Sequence, residues 1–536
     1  MSVERASALT GAYPRGSHLH RLAYTRLREE IVALPHARVF LAFLIAALAV
    51  RLVFWLYTGR IWEDGLMALT AARNAWEGFG LTHHASEPRV YCFTSPLSEM
   101  VMLAGEAVGQ GLLAMRIASL IATVPTLYYA YRISLLFGFG IPALAVLLAY
   151  LAFDQLQIFY GMAGMETQIA TALAVANAYY FLTSQWRKLG VALGLGLLCR
   201  PEFVFWAPLV GIFLLFHDRR ALLTVVTISA AVFMPWTALA TIYYGSPIPH
   251  TISAKSLSFH WMPGTHRWQA IYDYLPNWWH SFAPLREHVM GAPRGVPETA
   301  IRAVVILVTL LAAIGAGWLV AQSRRTAAIV LFILIFAAYR TMSLISIYGN
   351  WYLVPFLALF FIFVAAGVEL IHRHWPRIAI PVAAVVAFCY AVHVPLSFPR
   401  ERNVQLYTND AVQTVTGKRL NALMSASDTV VLEPLGYIGW AARNKTIYDS
   451  PGIGSKVSTA ALLHTHESVW GLAAALRPTF LVMRPRELEE LGVAYPDVAK
   501  LYQQVDEVKA PPDYQACAWG YCVYGETDLI ILKRTQ

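Results

Sequence analysis

The stretch VFLAFLIAALAVRLVFWLYTGRIWEDGLMALTAARN, residues 39–74, decides the fold. Its first part, residues 39–57, is apolar apart from Arg51 and, as a helix, is long enough to cross the roughly 30 Å hydrocarbon core of a bilayer. Two adjacent carboxylates, Glu63 and Asp64, follow at once and open an amphipathic helical pattern. A span that ends on such a pair places both acids at the membrane surface. Beyond this stretch, 57% of the 536 residues are hydrophobic and 14% are charged, against about 25% charged in an ordinary soluble chain. Mean hydropathy is +0.51. A core in water cannot hide that much apolar surface, whereas lipid solvates it. The sequence therefore predicts a polytopic α-helical membrane protein and argues against a cytosolic enzyme, a disordered scaffold or a disulfide-rich secreted module. The net charge of +9 fits basic cytoplasmic loops in contact with anionic membrane lipid, and no nucleic-acid partner is expected.

Apolar runs recur near 39–57, 110–135, 141–158, 164–183, 190–199, 203–216, 221–242, 299–321, 327–346, 353–371 and 378–396, which is about eleven transmembrane helices. Arg132, Arg187 with Lys188, Arg219 with Arg220, Arg324 with Arg325, and Arg373 with Arg377 fall in alternate short loops, which the positive-inside rule makes cytoplasmic. An odd number of spans then leaves the N-terminus inside and everything after residue 397 outside, in an inner or plasma membrane. Three parts follow: a basic cytoplasmic segment (1–38), a transmembrane domain (39–396) with outer loops 58–98 and 244–299, and an extracytoplasmic α/β domain (397–536). Strands are expected at Thr429–Leu432, Thr446–Tyr448, Phe480–Met483 and Leu529–Leu532. No cleaved signal peptide is expected, because no small-residue site follows the first apolar run. His18–Leu34 reads either as a surface-lying helix or as a solvated face. Among the five cysteines, Cys199 and Cys389 read as core residues, while Cys517 and Cys522 flank a tight turn in CAWGYC, where a disulfide and two free thiols both stay open.

Ionisable groups in or beside apolar spans are costly, so their distribution is informative. On this topology Arg51, Glu63, Asp64, Asp154, Glu166, Arg200, Glu202, Lys255 and Arg340 all project to the outer leaflet, where one cavity can hold them; the alternative is a set of interfacial or structural ion pairs. His83 and His84 are adjacent rather than helically spaced and read as loop residues instead of a metal pair. Trp261, Trp268, Trp278, Trp279 and Trp351 fit an interfacial belt, with sugar stacking as the alternative.

Several motifs then occur in order. Glu63 and Asp64 precede a helix, then Gly78, Gly80 and Leu81, then Thr94, Ser95, Pro96 and Leu97 entering the second span. Gly164, Met165, Glu166 and Thr167 open the fourth span, Arg200, Pro201 and Glu202 lie between the fifth and sixth, and SPIPHTISAK ends at Lys255. The tail adds LGYIGW (Leu435–Trp440) and RPTFLV (Arg477–Val482). This order resembles the GT-C membrane glycosyltransferases that use polyprenyl-phosphate sugars, in particular their arabinofuranosyltransferase-like branch, along most of the chain. Three positions depart from that pattern: Glu63 stands where an aspartate is usual, Trp351 before Tyr352 where an arginine is usual, and His250 where an asparagine is common.

The resemblance implies a GT-C helical bundle whose substrate partners are a polyprenyl-phosphate sugar donor and a glycan, lipid or protein acceptor. Under it the catalytic acids are Asp64, as general base, and Glu63. Lys255, Arg200, Arg340 and His250 bind the donor phosphate, and Glu166, Glu202, Tyr352 and Trp351 line the substrate site. A single displacement inverts the anomeric centre, and no cofactor is required, with a divalent metal at Glu63 and Asp64 as the alternative. Rival readings are an O-antigen ligase or polymerase and a lipid-linked-sugar transporter or flippase.

Overall fold

The computed structural model describes residues 18–259, 298–342, 350–465, 468–514, 517–518, 521–522 and 527–535. Side chains before residue 35, the tryptophans at 261, 268, 278 and 279, and the side chains of Cys517 and Cys522 lie outside the described residues.

The expected apolar runs fall on helices, with 141–158 divided between two of them and the end of 327–346 outside the described residues. In chain order the bundle comprises α1 (His18–Thr58), α2 (Glu63–Trp76), α3 (Pro96–Glu106), α4 (Gly111–Leu136), α5 (Ile141–Phe153), α6 (Gln155–Met162), α7 (Thr167–Leu182), α8 (Trp186–Cys199), α9 (Phe203–His217), α10 (Arg219–Tyr244), α11 (His250–Phe259), α12 (Glu298–Gln322), α13 (Arg324–Met342), α14 (Val354–His374) and α15 (Pro376–Asn403). Among the described residues six helices are long and apolar enough to cross a membrane, or seven if α5 and α6 form one broken span. α7, α8 and α9, at 16, 14 and 15 residues, fall short of the ~20 that a straight crossing needs. The fold is thus a polytopic helical membrane fold.

Local sequence sets the breaks. Asp218 accepts from the Ala221 amide at 3.0 Å and starts α10, which ends at Gly245 with φ +77°. Between α5 and α6 the axis bends by 41°, and Asp154 caps the second piece by accepting from the Gln157 amide at 3.0 Å. The bend frees the carbonyls of Leu151 and Ala152, to which the fully buried Arg51 donates at 2.9 and 3.2 Å while also reaching Gln168 Oε1 at 3.1 Å. Unsatisfied carbonyls in an apolar interior are expensive, so Arg51 and Asp154 mend a broken helix. They leave the cavity in which the sequence grouped them.

After α15 a π-helical stretch, Val404–Thr414, leads to α16 (Val415–Leu423) and a mixed α/β unit. Its elements are β1 (Thr429–Leu432), α17 (Leu435–Ala441), β2 (Thr446–Asp449), α18 (Lys456–Thr465), α19 (Val469–Leu476), β3 (Phe480–Met483), α20 (Pro485–Ala494), α21 (Pro496–Ala499), β4 (Tyr502–Lys509), β5 (Cys517–Ala518), β6 (Tyr521–Cys522) and β7 (Asp528–Arg534). The main sheet runs β2-β1-β3-β7-β4, parallel across β2, β1 and β3 and antiparallel at β7 and β4. Its central strands are apolar on both faces: Val430, Leu432, Phe480, Val482 and Ile531 pack into one cluster, and Val431, Leu481, Met483, Ile530 and Leu532 into the other. Period-two alternation between two buried faces explains why these strands read as continuous apolar runs. Met67 of α2 joins the first cluster, so the first loop packs directly on the sheet unit. The β5–β6 hairpin sets Cys517 opposite Cys522 in the backbone register.

Candidate active site

The acid-bearing helix is pinned from below. The Trp62 amide donates to Ala163 O at 2.8 Å, and a Cβ added at Gly65 would lie 2.8 Å from Gly164 O, with Gly164 itself at φ +87°. Glycine at both positions lets the 163–167 turn pass beneath the start of α2. Glu166 follows this turn, so two motifs far apart in sequence meet here.

Asp64 keeps about a third of its side chain exposed, and its Oδ2 lies 4.0 Å from Lys255 Nζ. The same ammonium donates to the Tyr352 hydroxyl at 3.2 Å and sits 5.7 Å from the ring centroids of both Trp351 and Tyr352. The guanidinium carbons of Arg200 and Arg340 lie 4.7 and 5.0 Å from the Tyr352 ring centroid. Tyr352 is therefore a hub touched by three cations, through its hydroxyl and by cation–π contact. Trp351 is buried and stacks on Tyr352 at 5.3 Å, with Trp62 at 5.4 Å and Tyr160 at 5.9 Å closing an aromatic wall. Burial alone would lower the Lys255 ammonium, but the Tyr352 oxygen and the Asp64 carboxylate outweigh it and its pKa is raised. Lys255 stays charged.

Arg200 is almost fully buried and already matched. It contacts Glu166 Oε1 at 2.5 Å, Glu202 Oε1 at 3.0 Å and, through Nε, Glu202 Oε2 at 3.1 Å. The structure thus gathers Asp64, Glu166, Arg200, Glu202, Lys255, Arg340, Trp351 and Tyr352 around one centre. Two other expected members stand elsewhere. Glu63 accepts from the Gly436 amide of α17 at 2.9 Å. The His250 ring meets the Thr459 hydroxyl of α18 at 3.3 Å, where burial lowers its pKa. In each case the neighbouring sheet unit, which sequence position alone does not reveal, supplies the partner.

Glu63 and Asp64 face different partners, one a backbone amide and the other an ammonium. Among the described residues no three His, Cys, Asp or Glu side chains gather in a metal-holding set. His83 and His84, read as loop residues, are buried at the joint between the first loop and the sheet unit. Burial, then the neighbouring His84 and Arg73, pushes His83 down to about 3, and burial raises Asp449 of β2 to about 7. Glu87 completes the joint by accepting from the Lys456 amide at 2.9 Å and from the Ser455 hydroxyl.

The sequence reading missed Tyr437 and Arg60. Tyr437 donates to Ile61 O at 2.9 Å, and Arg60 pairs at 3.0 Å with Glu401, which also binds Arg400 at 2.5 Å. Both lie in motifs or loops already quoted, but only the chain crossing between distant segments makes them partners.

No protein-family model matches the chain. Over 274 residues it is 28% identical to the terminal β-(1→2)-arabinofuranosyltransferase of Corynebacterium glutamicum, covering 45% of this chain and 39% of that protein. The chain thus aligns with about two fifths of that relative's length. Among solved structures it is similar to ArnT from Cupriavidus metallidurans bound to undecaprenyl phosphate, with a TM-score of 0.54, 10% identity and coverage of 92% of this chain and 97% of that one. It is also similar to the archaeal oligosaccharyltransferase AglB from Archaeoglobus fulgidus in complex with an inhibitory peptide and a dolichol-phosphate, with a TM-score of 0.53, 11% identity and coverage of 89% and 73%. The chain thus shares the fold of these two solved structures, and part of its sequence is similar to that arabinofuranosyltransferase.

Proposed function

We propose that this chain is an inverting membrane glycosyltransferase that moves a sugar, arabinofuranose by its sequence likeness, from a polyprenyl-phosphate donor to a glycan, lipid or protein acceptor on the outer face. In this reading eleven crossings and the basic inner loops put the N-terminus in the cytoplasm and the sheet unit outside. The observation that carries it is the partly exposed Asp64 carboxylate beside the Lys255 ammonium, with Arg340 and Tyr352 behind. A base and an anion site lie side by side, at the end of a span where a lipid phosphate resides.

The chemistry needs little else. Asp64 takes the proton of an acceptor hydroxyl, the acceptor oxygen forms the new bond to C1, and the C1–O bond to phosphate breaks with its electron pair leaving on the phosphate. Lys255 and Arg340 stabilise that developing charge, while Arg200 holds Glu166 and Glu202 in place to meet sugar hydroxyls. No metal takes part in this scheme.

The test is purified protein in lipid nanodiscs with polyprenyl-phosphoryl arabinofuranose and a panel of other polyprenyl-phosphate sugars. Acceptor-dependent release of polyprenyl phosphate and a newly glycosylated oligosaccharide are expected with at least one donor. Absence of turnover with every donor, in protein that binds polyprenyl phosphate, would refute the reading.

A further inference from the structure

The two adjacent acids divide their work between two parts of the molecule. Glu63 reaches into the sheet unit and accepts the Gly436 amide at 2.9 Å, while Asp64, one residue on, faces Lys255. The contact is close on both sides: a Cβ added at Gly436 would lie 2.6 Å from the Glu63 carbonyl oxygen and 3.0 Å from its Cα. The next residue, Tyr437, is buried; its hydroxyl has Ile61 O at 2.9 Å and Gln405 Oε1 at 2.8 Å as acceptors for its one proton, and Asn409 Nδ2 donates to it at 3.1 Å. Three residues further, the Arg73 guanidinium lies 4.0 Å over the Trp440 ring and donates to Trp440 O at 3.3 Å. LGYIGW thus grips α2 at its first residue, just before it and near its end.

We infer that this segment of the sheet unit is a brace that sets the position of Asp64, and that Glu63 is a positioning residue acting through the Gly436 amide. The inference rests on the reading of Asp64 as the base. A reacting group displaced by about 1 Å can cost on the order of a hundredfold in rate, so a unit that fixes the start of α2 controls turnover without touching substrate. Glu63 is suited to this because its acceptor oxygen, not its charge, makes the bond. Glutamine supplies the same oxygen.

The experiment compares Glu63→Gln, Glu63→Ala, Gly436→Ala and the Glu63→Ala, Gly436→Ala double variant in nanodiscs, reading kcat and the donor KM separately, with Asp64→Asn alongside. Glu63→Gln is expected to retain most of kcat. Glu63→Ala and Gly436→Ala are each expected to lower kcat about tenfold with donor KM unchanged, and the double variant to be no worse than the worse single, because all break one link. The brace is overturned if Gly436→Ala and Glu63→Ala keep full kcat, if their loss falls on donor KM, or if Glu63→Gln is as inactive as Asp64→Asn. Should Gly436→Ala fail to fold, the contrast between Glu63→Gln and Glu63→Ala decides alone. An inactive wild type would strike at the glycosyltransferase reading, whereas an active wild type with full-rate Glu63→Ala strikes only at the brace.

Discussion

Arg200 and Lys255 both read as phosphate cations in the sequence, and the structure separates them sharply enough to predict opposite phenotypes. Arg200 is 1% exposed and holds two carboxylates through contacts of 2.5, 3.0 and 3.1 Å. Replacing it with methionine strands Glu166 and Glu202 in a buried site, and breaking a buried pair from one side costs about 3–5 kcal/mol. Set against total stabilities of about 5–15 kcal/mol, that is a loss of folded protein before it is a loss of chemistry. Lys255 is less enclosed and makes one hydrogen bond of 3.2 Å and a looser ion pair of 4.0 Å, so Lys255→Met is expected to leave the fold intact. Its loss falls on the donor: removing a charged hydrogen bond to phosphate costs about 1.5–3 kcal/mol, or roughly ten- to a hundredfold in kcat/KM. The assay is thermal unfolding of both variants in detergent, with and without polyprenyl phosphate, beside turnover. Arg200→Met that unfolds like wild type but no longer binds polyprenyl phosphate would show that the guanidinium serves the donor and that the carboxylates do not depend on it.

Three further outcomes follow from the same geometry. Asp64→Asn preserves shape but cannot take a proton, so turnover is expected to fall about a hundredfold or more with polyprenyl phosphate binding retained, and a variant with most of its activity would remove Asp64 as base. At the buried joint, folding holds His83 near 3 rather than 6.5, a contribution present above pH 6.5 and lost as pH falls toward 3; Asp449, raised from 3.8 to about 7, contributes fully below 3.8 and loses it as pH rises through 7. Between about pH 6.5 and 4 these slopes of about 1.4 kcal/mol per pH unit oppose each other, so Asp449→Asn should lose stability on acidification more steeply than wild type, and His83→Asn less steeply, in thermal unfolding scans across that range. Equal slopes in all three proteins would show that the joint does not titrate as argued. Finally, reporters fused beside Arg219 and Arg324 should be active inside the cell and one after Gln536 only outside; an inside-active C-terminal fusion would reverse the proposed topology.

Period and hydropathy made the helices legible because each span must satisfy its own backbone and show apolar side chains to lipid, so the signal is local. The strands at Thr429–Leu432 and Phe480–Met483 were legible for a similar reason, being apolar on both faces. Proximity was legible too: Asp64, Lys255, Arg200 and Arg340 gather around Tyr352 as their places at the ends of apolar runs suggested. Direction was not. Whether a side chain at such a place faces the cavity depends on its partner across the chain, and Arg51 turned to the carbonyls of a bend, Glu63 to Gly436 and His250 to Thr459. Adjacency in sequence gave Glu63 and Asp64 equal standing, yet successive residues of a helix point about 100° apart, so only one of the two can face any given neighbour.

That division matters for the charge carried through the proposed reaction. The gathered centre holds three cations, Arg200, Lys255 and Arg340, and three carboxylates, Asp64, Glu166 and Glu202, so it is formally neutral before the donor arrives. A sugar phosphodiester adds one negative charge, and the leaving phosphate monoester carries up to one more. Proton transfer from the acceptor to Asp64 removes a carboxylate charge in the same step, so the total does not change. What changes is the partner of Lys255, since neutralising Asp64 at 4.0 Å leaves its ammonium to the phosphate when the phosphate charge grows. Arg200 cannot make this exchange, because its partners Glu166 and Glu202 take no part in the proposed proton transfer. A lysine between base and leaving group, rather than a cation buried behind them, is therefore the group whose contribution rises from ground state to transition state.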